Sequence, residues 1–149
     1  VKEIRKNGKV IEEFESSVIR SSMCSDATLE SIRECLHDVV WNDTLGTASV
    51  NPWGTRKAQS DLVVIAGKTG TAQILEKGYS NRRHRMSFVG YFPEENPQYT
   101  CICVIHGPQW PYDAGMDCGS VVRHIAEKTM AYAGEYVIKN GELVMVVNK

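Results

Sequence analysis

The chain has 149 residues, 42% of them apolar, and 17 basic against 18 acidic residues give a net charge of −1. This length suits one domain with a real core, and this composition excludes an intrinsically disordered chain. The balanced charge provides no long-range attraction for nucleic acid or anionic lipid, and no apolar stretch approaches the ~20 residues that span a bilayer.

The N-terminal part predicts a hairpin and a helix. Residues 1–14 alternate around Asn7-Gly8, which predicts a β-hairpin on the surface. Ser25-Asp26 can cap a helix, so we predict one over residues 26–41. Its apolar stripe, which we expect to be buried, comprises Leu29, Ile32, Cys35, Leu36, Val39 and Val40. Residues 42–60 are rich in Gly, Thr, Ser, Asn and Pro and are predicted to be an irregular loop.

Three strands are predicted next, over residues 61–73, 86–92 and 99–106. A tight turn at 93–97 should make the second and third strands antiparallel neighbours. The loop at 77–85 is basic. A solvated loop is the better interpretation, because the patch is small for binding an acidic glycan, a lipid headgroup or nucleic acid.

The C-terminal part begins with a loop that carries Trp110 and Tyr112. These rings either line a cleft or anchor the loop against the following helix. That helix is predicted near residues 119–133, and its stripe should pack on the sheet. The stripe comprises Val121, Val122, Ile125, Ala126, Thr129 and Met130. Two short strands turning at Asn140-Gly141 are predicted at the end.

The cysteines and histidines do not predict a metal site. Five cysteines cannot all pair within one chain, which disfavours a disulfide scaffold. Cys101 and Cys103 lie two apart in a predicted strand and should share a face as small apolar side chains. Combined with Cys118 and His106 or His124, they still lack zinc-knuckle spacing. The histidines, His37 included, are expected to be surface or packing residues.

The most informative stretch is Lys68-Thr69-Gly70-Thr71, which follows the apolar run 62–66. At the exit of a buried strand it would place a cation, two hydroxyls and an unhindered backbone along one edge. Such an edge suits a carboxylate and an anionic acyl intermediate beside a serine nucleophile. A phosphate-binding loop is disfavoured, because Leu62 stands where that motif requires glycine.

This stretch, extended through Ala72-Gln73, resembles the third motif of penicillin-binding proteins, the D,D-transpeptidases that cross-link peptidoglycan. The strand 88–93 (Phe-Val-Gly-Tyr-Phe-Pro) and Asn96-Pro97 strengthen the resemblance. It is nearest to class B enzymes of the division type, with the elongation type second. It implies an α+β fold, a partial transpeptidase fold like that of serine β-lactamases, with antiparallel strands packed against helices. Residues 1–133 would be the C-terminal portion of a transpeptidase domain, and 134–149 an unassigned β tail.

The resemblance implies a role for each motif residue. Lys68 would lie near the nucleophile and favour its deprotonated form. Thr69 and Thr71 would hydrogen-bond the carboxylate of a D-Ala-D-Ala terminus or a β-lactam, and Gly70 would leave room for the substrate backbone. The backbone N–H of Thr71 would be one oxyanion-hole donor. Lys68 and Thr71 are thus the catalytic candidates, Thr69, Gly70 and Thr71 the substrate-binding ones, and no metal or cofactor is implied.

The chain departs from the family pattern because it lacks a nucleophile. No serine is followed three positions later by lysine, as the Ser-x-x-Lys motif requires. Ser49-Val50-Asn51 matches the Ser-x-Asn motif literally but lies too close to Lys68, so we interpret it as chance. We therefore expect a fragment that is inert alone, with the serine in the missing N-terminal part of the same protein. The start at Val1 agrees with a fragment or processed piece.

The parent would be a cell-wall enzyme of division or cell shape, anchored in the bacterial inner membrane and facing the periplasm or exterior. Its substrate would be the peptidoglycan stem peptide, and β-lactam antibiotics would acylate the same serine. Alternatives are a non-catalytic module that binds cell-wall peptides or β-lactams, and a fragment of a serine β-lactamase. Without the serine-bearing helix, an apolar sheet face should be exposed, so self-association of the fragment is expected.

Overall fold

A computed structural model describes residues 2–15, 17–74, 83–109, 111–133, 136–139 and 142–145. The chain divides into two compact units, residues 1–30 and 31–149. Its elements are β1 (Glu3–Lys6), β2 (Lys9–Glu13), α1 (Asp26–Trp41), β3 (Ala66–Ile74), β4 (Arg83–Phe92), β5 (Tyr99–His106), a π-helical turn (Gly115–Gly119), α2 (Ser120–Tyr132), β6 (Tyr136–Lys139) and β7 (Glu142–Met145). This mixture of helices and antiparallel sheets confirms the α+β class.

The first unit contains the predicted hairpin. β1 and β2 pair antiparallel, and Asn7 and Gly8 between them both have positive φ, 52° and 77°. Two consecutive positive φ values are typical of the tight turns that match strand twist, which explains the Asn-Gly pair. The β2 residues are all exposed, as expected for a surface hairpin.

Helix α1 begins and ends where the sequence predicts. The Ser25 hydroxyl accepts a hydrogen bond from the Thr28 backbone N–H at 3.3 Å, so Ser25 is the N-cap. The helix ends at Trp41, whose indole Nε1 donates to the Ile65 carbonyl at 2.9 Å. This bond ties the C-terminal end of α1 to the residue that precedes β3.

The prediction that α1 buries its whole apolar stripe is wrong for the first half. Leu29, Ile32 and Cys35 are exposed, and only Val40 is fully buried. The reason is that the core contacts of the helix, made by Val40 with the partly buried Val39 and Trp41, lie at its C-terminal end.

The central sheet has three strands in the order β3-β4-β5, and all pairs are antiparallel. The predicted neighbour relationship of the second and third strands is therefore confirmed. Thr69 pairs with Phe88, which in turn pairs with Cys103 on β5. Because directly opposed residues share a face, this register shows on which of the two faces of the sheet each motif residue lies.

The first central strand begins later than predicted, at Ala66 rather than at residue 61. The two residues that precede the strand do not join the ladder because other groups bond to their carbonyls. The Val64 carbonyl accepts the Glu94 N–H at 2.9 Å, and the Ile65 carbonyl accepts the Trp41 indole. Val63 and Ile65 are nevertheless buried, so the apolar run contributes to the core outside the strand.

Helix α2 packs on one face of this sheet. Val122, Ala126 and Met130 are buried as predicted, whereas Val121 and Ile125 are exposed. The buried positions recur every four residues, which gives a narrower stripe than the sequence predicted. The remaining core comprises Val40, Ala48, Ala58, Val63, Ile65, Met86, Phe88, Phe92, Ala114 and Cys118.

The opposite face of the sheet carries an exposed apolar patch. Val89 on β4 and Ile102 and Val104 on β5 are 41%, 64% and 52% exposed. Cys101 and Cys103 point to the core side, where they are partly buried, as the strand alternation predicts.

The remaining elements agree in part with the prediction. β6 and β7 form the predicted C-terminal antiparallel pair, with Asn140-Gly141 outside the described residues. Residues 83–85 belong to β4, so the prediction that the basic loop reaches residue 85 is wrong, while residues 75–82 lie outside the described part. No helix in the described residues has the length and apolarity to cross a bilayer.

Candidate functional site

The Lys-Thr-Gly-Thr motif lies within β3, not at the exit of a strand as the sequence suggested. β3 is an outer strand of the described three-stranded sheet. Thr69 and Thr71 stand opposite the buried Phe88 and Met86, so both project on the core side. Backbone groups on the outer edge of β3 lie next to the face that carries these hydroxyls.

Lys68 lies on the other face, opposite Val89. Its side chain is exposed, and Nζ donates to the carbonyl of Thr69 at 2.7 Å. The register thus puts Thr69 and Thr71 on one face of the sheet and the Lys68 side chain on the other, with the Lys68 ammonium bonded to the main chain of Thr69.

Gly70 shares the face of Lys68 and lies opposite Ser87. A Cβ placed on Gly70 would come within 2.6 Å of the Ser87 hydroxyl oxygen. A side chain at Gly70 would therefore require the Ser87 hydroxyl to rotate away, and Gly70 is also a candidate for substrate approach.

A cavity of about 300 Å³ opens on the Thr69 side of the strand. Hydroxyl groups and one charged pair dominate its polar lining. It is lined by Thr47, Lys57, Thr69, Thr71, Tyr112, Asp113, Ala114 and Gly115. The cavity is thus built from three separate segments: the 42–60 loop, β3, and the loop that leads into the π-helical turn.

The 42–60 loop reaches the motif through Thr47. The Thr47 hydroxyl lies 2.7 Å from the Thr69 hydroxyl, a hydrogen bond in which either oxygen can donate. The next residue, Ala48, is held on both sides: its N–H donates to the Val39 carbonyl and its carbonyl accepts from Ala58 N–H, each at 2.9 Å. Thr47 is therefore positioned by backbone bonds on its C-terminal side.

At the base of the cavity, Lys57 forms an ion pair with Asp113. Nζ lies 2.7 Å from Asp113 Oδ2, and the lysine side chain is 11% exposed against 45% for the aspartate. The same ammonium donates to the Thr47 carbonyl at 3.2 Å. Burial alone would raise the pKa of Asp113, but hydrogen bonds from Lys57 and from the Met116 amide outweigh it, so this pKa lies below its usual value.

Gly115 lets the loop after β5 approach the 42–60 loop. A Cβ on Gly115 would lie 2.2 Å from the Thr47 carbonyl oxygen and 3.0 Å from the Ala48 Cα. Both contacts are with backbone, which cannot swing aside. The close approach therefore needs glycine here.

Tyr112 forms part of the cavity wall, which is one of the two roles predicted for it. Its hydroxyl lies 2.5 Å from His84 Nδ1 on β4, and the two rings are 4.9 Å apart. Trp110, the other predicted aromatic, lies outside the described residues. The sequence interpretation placed His84 in the solvated basic loop, whereas it lies on β4 and contacts Tyr112.

Ser49 and Asn51, the literal Ser-x-Asn match, are engaged in local structure. Ser49 is fully buried; its hydroxyl donates to Asp43 Oδ1 at 2.5 Å and accepts from Gln59 Nε2 at 2.9 Å. The Asn51 side-chain oxygen accepts the N–H groups of residues 53 and 55 and shapes a turn. These contacts support the interpretation that the match is chance.

The histidines predicted to be surface or packing residues make polar contacts at or near the surface. His37 pairs with Glu94 at 2.7 Å, and His106 Nδ1 accepts from Arg85 at 3.4 Å. His124 lies beside Arg123 on the exposed side of α2. All five cysteines are free thiols, and burial is the main reason that the pKa of Cys118 is raised to about 11. Among the described residues, no three His, Cys, Asp or Glu side chains converge to hold a metal ion.

The arrangement offers hydrogen-bond donors to an anion. Hydroxyl donors of Thr69 and Thr71 suit a carboxylate, whereas the Lys57 charge is neutralised by Asp113. Thr47, Lys57 and Asp113 were missed by sequence reasoning. Only Lys57, a cation within the 42–60 loop, carried any signal, and its sequence context does not distinguish it from a solvated side chain.

The chain is similar in sequence to known peptidoglycan transpeptidases and related proteins. The chain is 35% identical over 113 residues to a peptidoglycan D,D-transpeptidase FtsI homolog from Mesostigma viride, covering 74% of this chain and 17% of that protein. It is 30% identical over 96 residues to stage V sporulation protein D of Bacillus subtilis (strain 168), covering 64% of this chain and 13% of that protein. The chain thus spans less than a fifth of the length of either relative.

Solved structures give the same relationship. The transpeptidase domain of FtsI4 D,D-transpeptidase from Legionella pneumophila superposes with a TM-score of 0.54 and 27% identity, over 71% of this chain and 36% of that one. A peptidoglycan synthetase from Bifidobacterium adolescentis, at 20% identity and a TM-score of 0.62, covers 89% of this chain and 22% of that one and shares the fold. The family model of the penicillin-binding protein transpeptidase domain matches residues 1–131. The chain therefore belongs to the penicillin-binding protein transpeptidase domain family.

Proposed function

We propose that this chain supplies the carboxylate-binding wall of a peptidoglycan D,D-transpeptidase. The observation that carries this proposal is the pair of hydroxyls, Thr69 and Thr71, that line one cavity at the edge of β3. A D-Ala-D-Ala terminus presents a carboxylate and an extended backbone, and an outer strand can bind both. The names of the two FtsI-related proteins agree with this substrate class.

The proposed reaction is serine acyl transfer. The serine oxygen attacks the carbonyl of the penultimate D-Ala, the C–N bond breaks, and the terminal D-Ala leaves with a proton. An amine of a neighbouring stem peptide then attacks the ester, forms the cross-linking amide and restores the serine. β-Lactams would acylate the same serine.

The motif residues have separate roles in this proposal. Thr69 and Thr71 bind the carboxylate, and the Thr71 N–H stabilises the oxyanion. Lys68 projects from the opposite face of β3, which is where we place the serine-bearing segment. There its ammonium would favour the deprotonated nucleophile.

The proposal extends to the whole protein. We infer that residues 1–133 complete a transpeptidase domain together with an upstream segment that carries Ser-x-x-Lys. We infer a membrane-anchored protein that acts on the cell-wall side of the membrane, in division more than in elongation. We call the protein that contains this chain together with that segment the complete transpeptidase.

The test is turnover by the complete transpeptidase on a stem peptide ending in D-Ala-D-Ala. We expect release of D-Ala and formation of a cross-linked product. In a Thr69→Val/Thr71→Val variant both rates should fall to about a tenth of the wild-type rates or below. The matched control is Thr55→Val, in an exposed turn outside the cavity. Binding without D-Ala release would support a non-catalytic module instead. Rapid hydrolysis of a penicilloyl adduct would support a β-lactamase.

A further inference from the structure

The Thr47–Thr69 contact has a direction that the proposed ligand determines. A threonine hydroxyl has one proton to donate and two lone pairs that accept. A carboxylate can only accept hydrogen bonds, so Thr69 must donate its single hydroxyl proton to the ligand. The 2.7 Å bond to Thr47 can then persist only if Thr47 donates to Thr69.

The structure fixes Thr47 in the place that this direction requires. Its carbonyl accepts from the Lys57 ammonium at 3.2 Å, and that ammonium is itself held by Asp113 at 2.7 Å. Gly115 packs against the same carbonyl. Lys57 of the same loop, with Asp113 and Gly115 from the segment after β5, therefore surrounds the Thr47 carbonyl, while the Thr47 hydroxyl bonds to Thr69.

We propose that Thr47 is a positioning residue that donates to Thr69 and so aims the Thr69 proton at the substrate carboxylate. The Lys57–Asp113 pair holds Thr47 at hydrogen-bonding distance. This inference rests on the proposed function, because it assigns a role within the same cavity. It adds a specificity element from outside the Lys-Thr-Gly-Thr motif.

The test compares two probes on the complete transpeptidase: a penicillin with its free carboxylate and the methyl ester of the same penicillin. Thr47→Val keeps the shape of the side chain and removes its donor. We expect the second-order acylation rate to fall about 5- to 10-fold for the carboxylate probe and less than about twofold for the ester. Thr47→Ser, which keeps the donor, should retain the rate for both probes.

Two further variants separate positioning from general damage. In a Thr69→Val background, adding Thr47→Val should cost nothing more, because the hydroxyl to be oriented is gone. Lys57→Met should reproduce the carboxylate-specific loss, because it removes the hydrogen bond that holds the Thr47 carbonyl. Thr55→Val is the control in the same loop, and both probes should acylate it at the wild-type rate.

The outcomes are distinct. A loss confined to the carboxylate probe and restored by serine supports the positioning role. Equal losses for both probes, or equal rates for wild type and Thr47→Val, overturn it while the proposed function stands. A wild-type protein that neither probe acylates overturns the proposed function and this inference together.

Discussion

The Lys57 ammonium lies 2.7 Å from the Asp113 carboxylate, and the lysine is the more buried partner of the pair. This asymmetry matters because an unpaired buried charge costs more than an unpaired exposed one. The pair also joins two segments of the cavity wall. Its energetics can therefore be tested apart from catalysis.

Removing Asp113 and removing Lys57 should lower the free energy of unfolding by different amounts. Asp113→Asn leaves the buried ammonium without its counter-charge, and we expect a loss of about 2–3 kcal/mol in the free energy of unfolding. Lys57→Met leaves a half-exposed carboxylate that water can solvate, so a loss of about 1 kcal/mol is expected. Urea denaturation of the complete transpeptidase measures both, and a larger loss for Lys57→Met would contradict this account.

Stability should fall on the acid side through Asp113. The folded pKa of this carboxyl is lowered, so its contribution is present above the unfolded value of about 3.9 and is lost as pH falls through the folded pKa. The midpoint of urea unfolding should therefore drop below about pH 4 in the wild type. The drop should be shallower in Asp113→Asn, and identical profiles for the two proteins would show that Asp113 makes no such contribution.

Ser49 should matter for stability and not for acylation. Its hydroxyl is fully buried between Asp43 and Gln59, so Ser49→Ala removes a satisfied buried bond and should cost about 1–2 kcal/mol. Ser21→Ala, at an exposed position, is the matched control and should cost close to zero. If Ser49→Ala abolished penicillin acylation while the protein stayed folded, the Ser-x-Asn match would be catalytic after all.

The exposed apolar patch on the sheet should drive self-association of the 149-residue chain. Ile102 and Val104 expose adjacent apolar surface on β5, and such β-branched patches favour contact with a second copy. We expect sedimentation velocity to show oligomers that Ile102→Thr/Val104→Thr shifts toward monomer. Val121→Thr, similarly exposed on α2, should leave the distribution unchanged. A wild-type chain that stays monomeric at high concentration would show that this face is not adhesive.

Local patterns predicted most of the elements. The limits of α1 follow from the Ser25 cap and helical spacing, and β5 follows from its alternation, because each depends on neighbouring residues. The start of β3 could not be predicted. It depends on which distant groups, Glu94 and the Trp41 indole, take the carbonyls before Ala66.

The candidate site was predictable only along the motif. Thr69 and Thr71 were identified from four consecutive residues, whereas the cavity around them needs the fold. Thr47, Lys57 and Asp113 come from segments that meet only when Gly115 packs against the 42–60 loop. Alternation along β3 also places the Lys68 side chain on the opposite face from the two threonines. The linear motif alone does not show this difference.

The central claim is that this chain is half of a serine transpeptidase site. Fluorescent-penicillin labelling tests it most directly, with the complete transpeptidase, its Lys68→Ala variant and the 149-residue chain on one gel. We predict that the complete protein labels, that Lys68→Ala labels weakly, and that the chain alone stays dark. A dark complete protein would contradict the proposed activity, and labelling of the chain alone would show that it holds a nucleophile of its own.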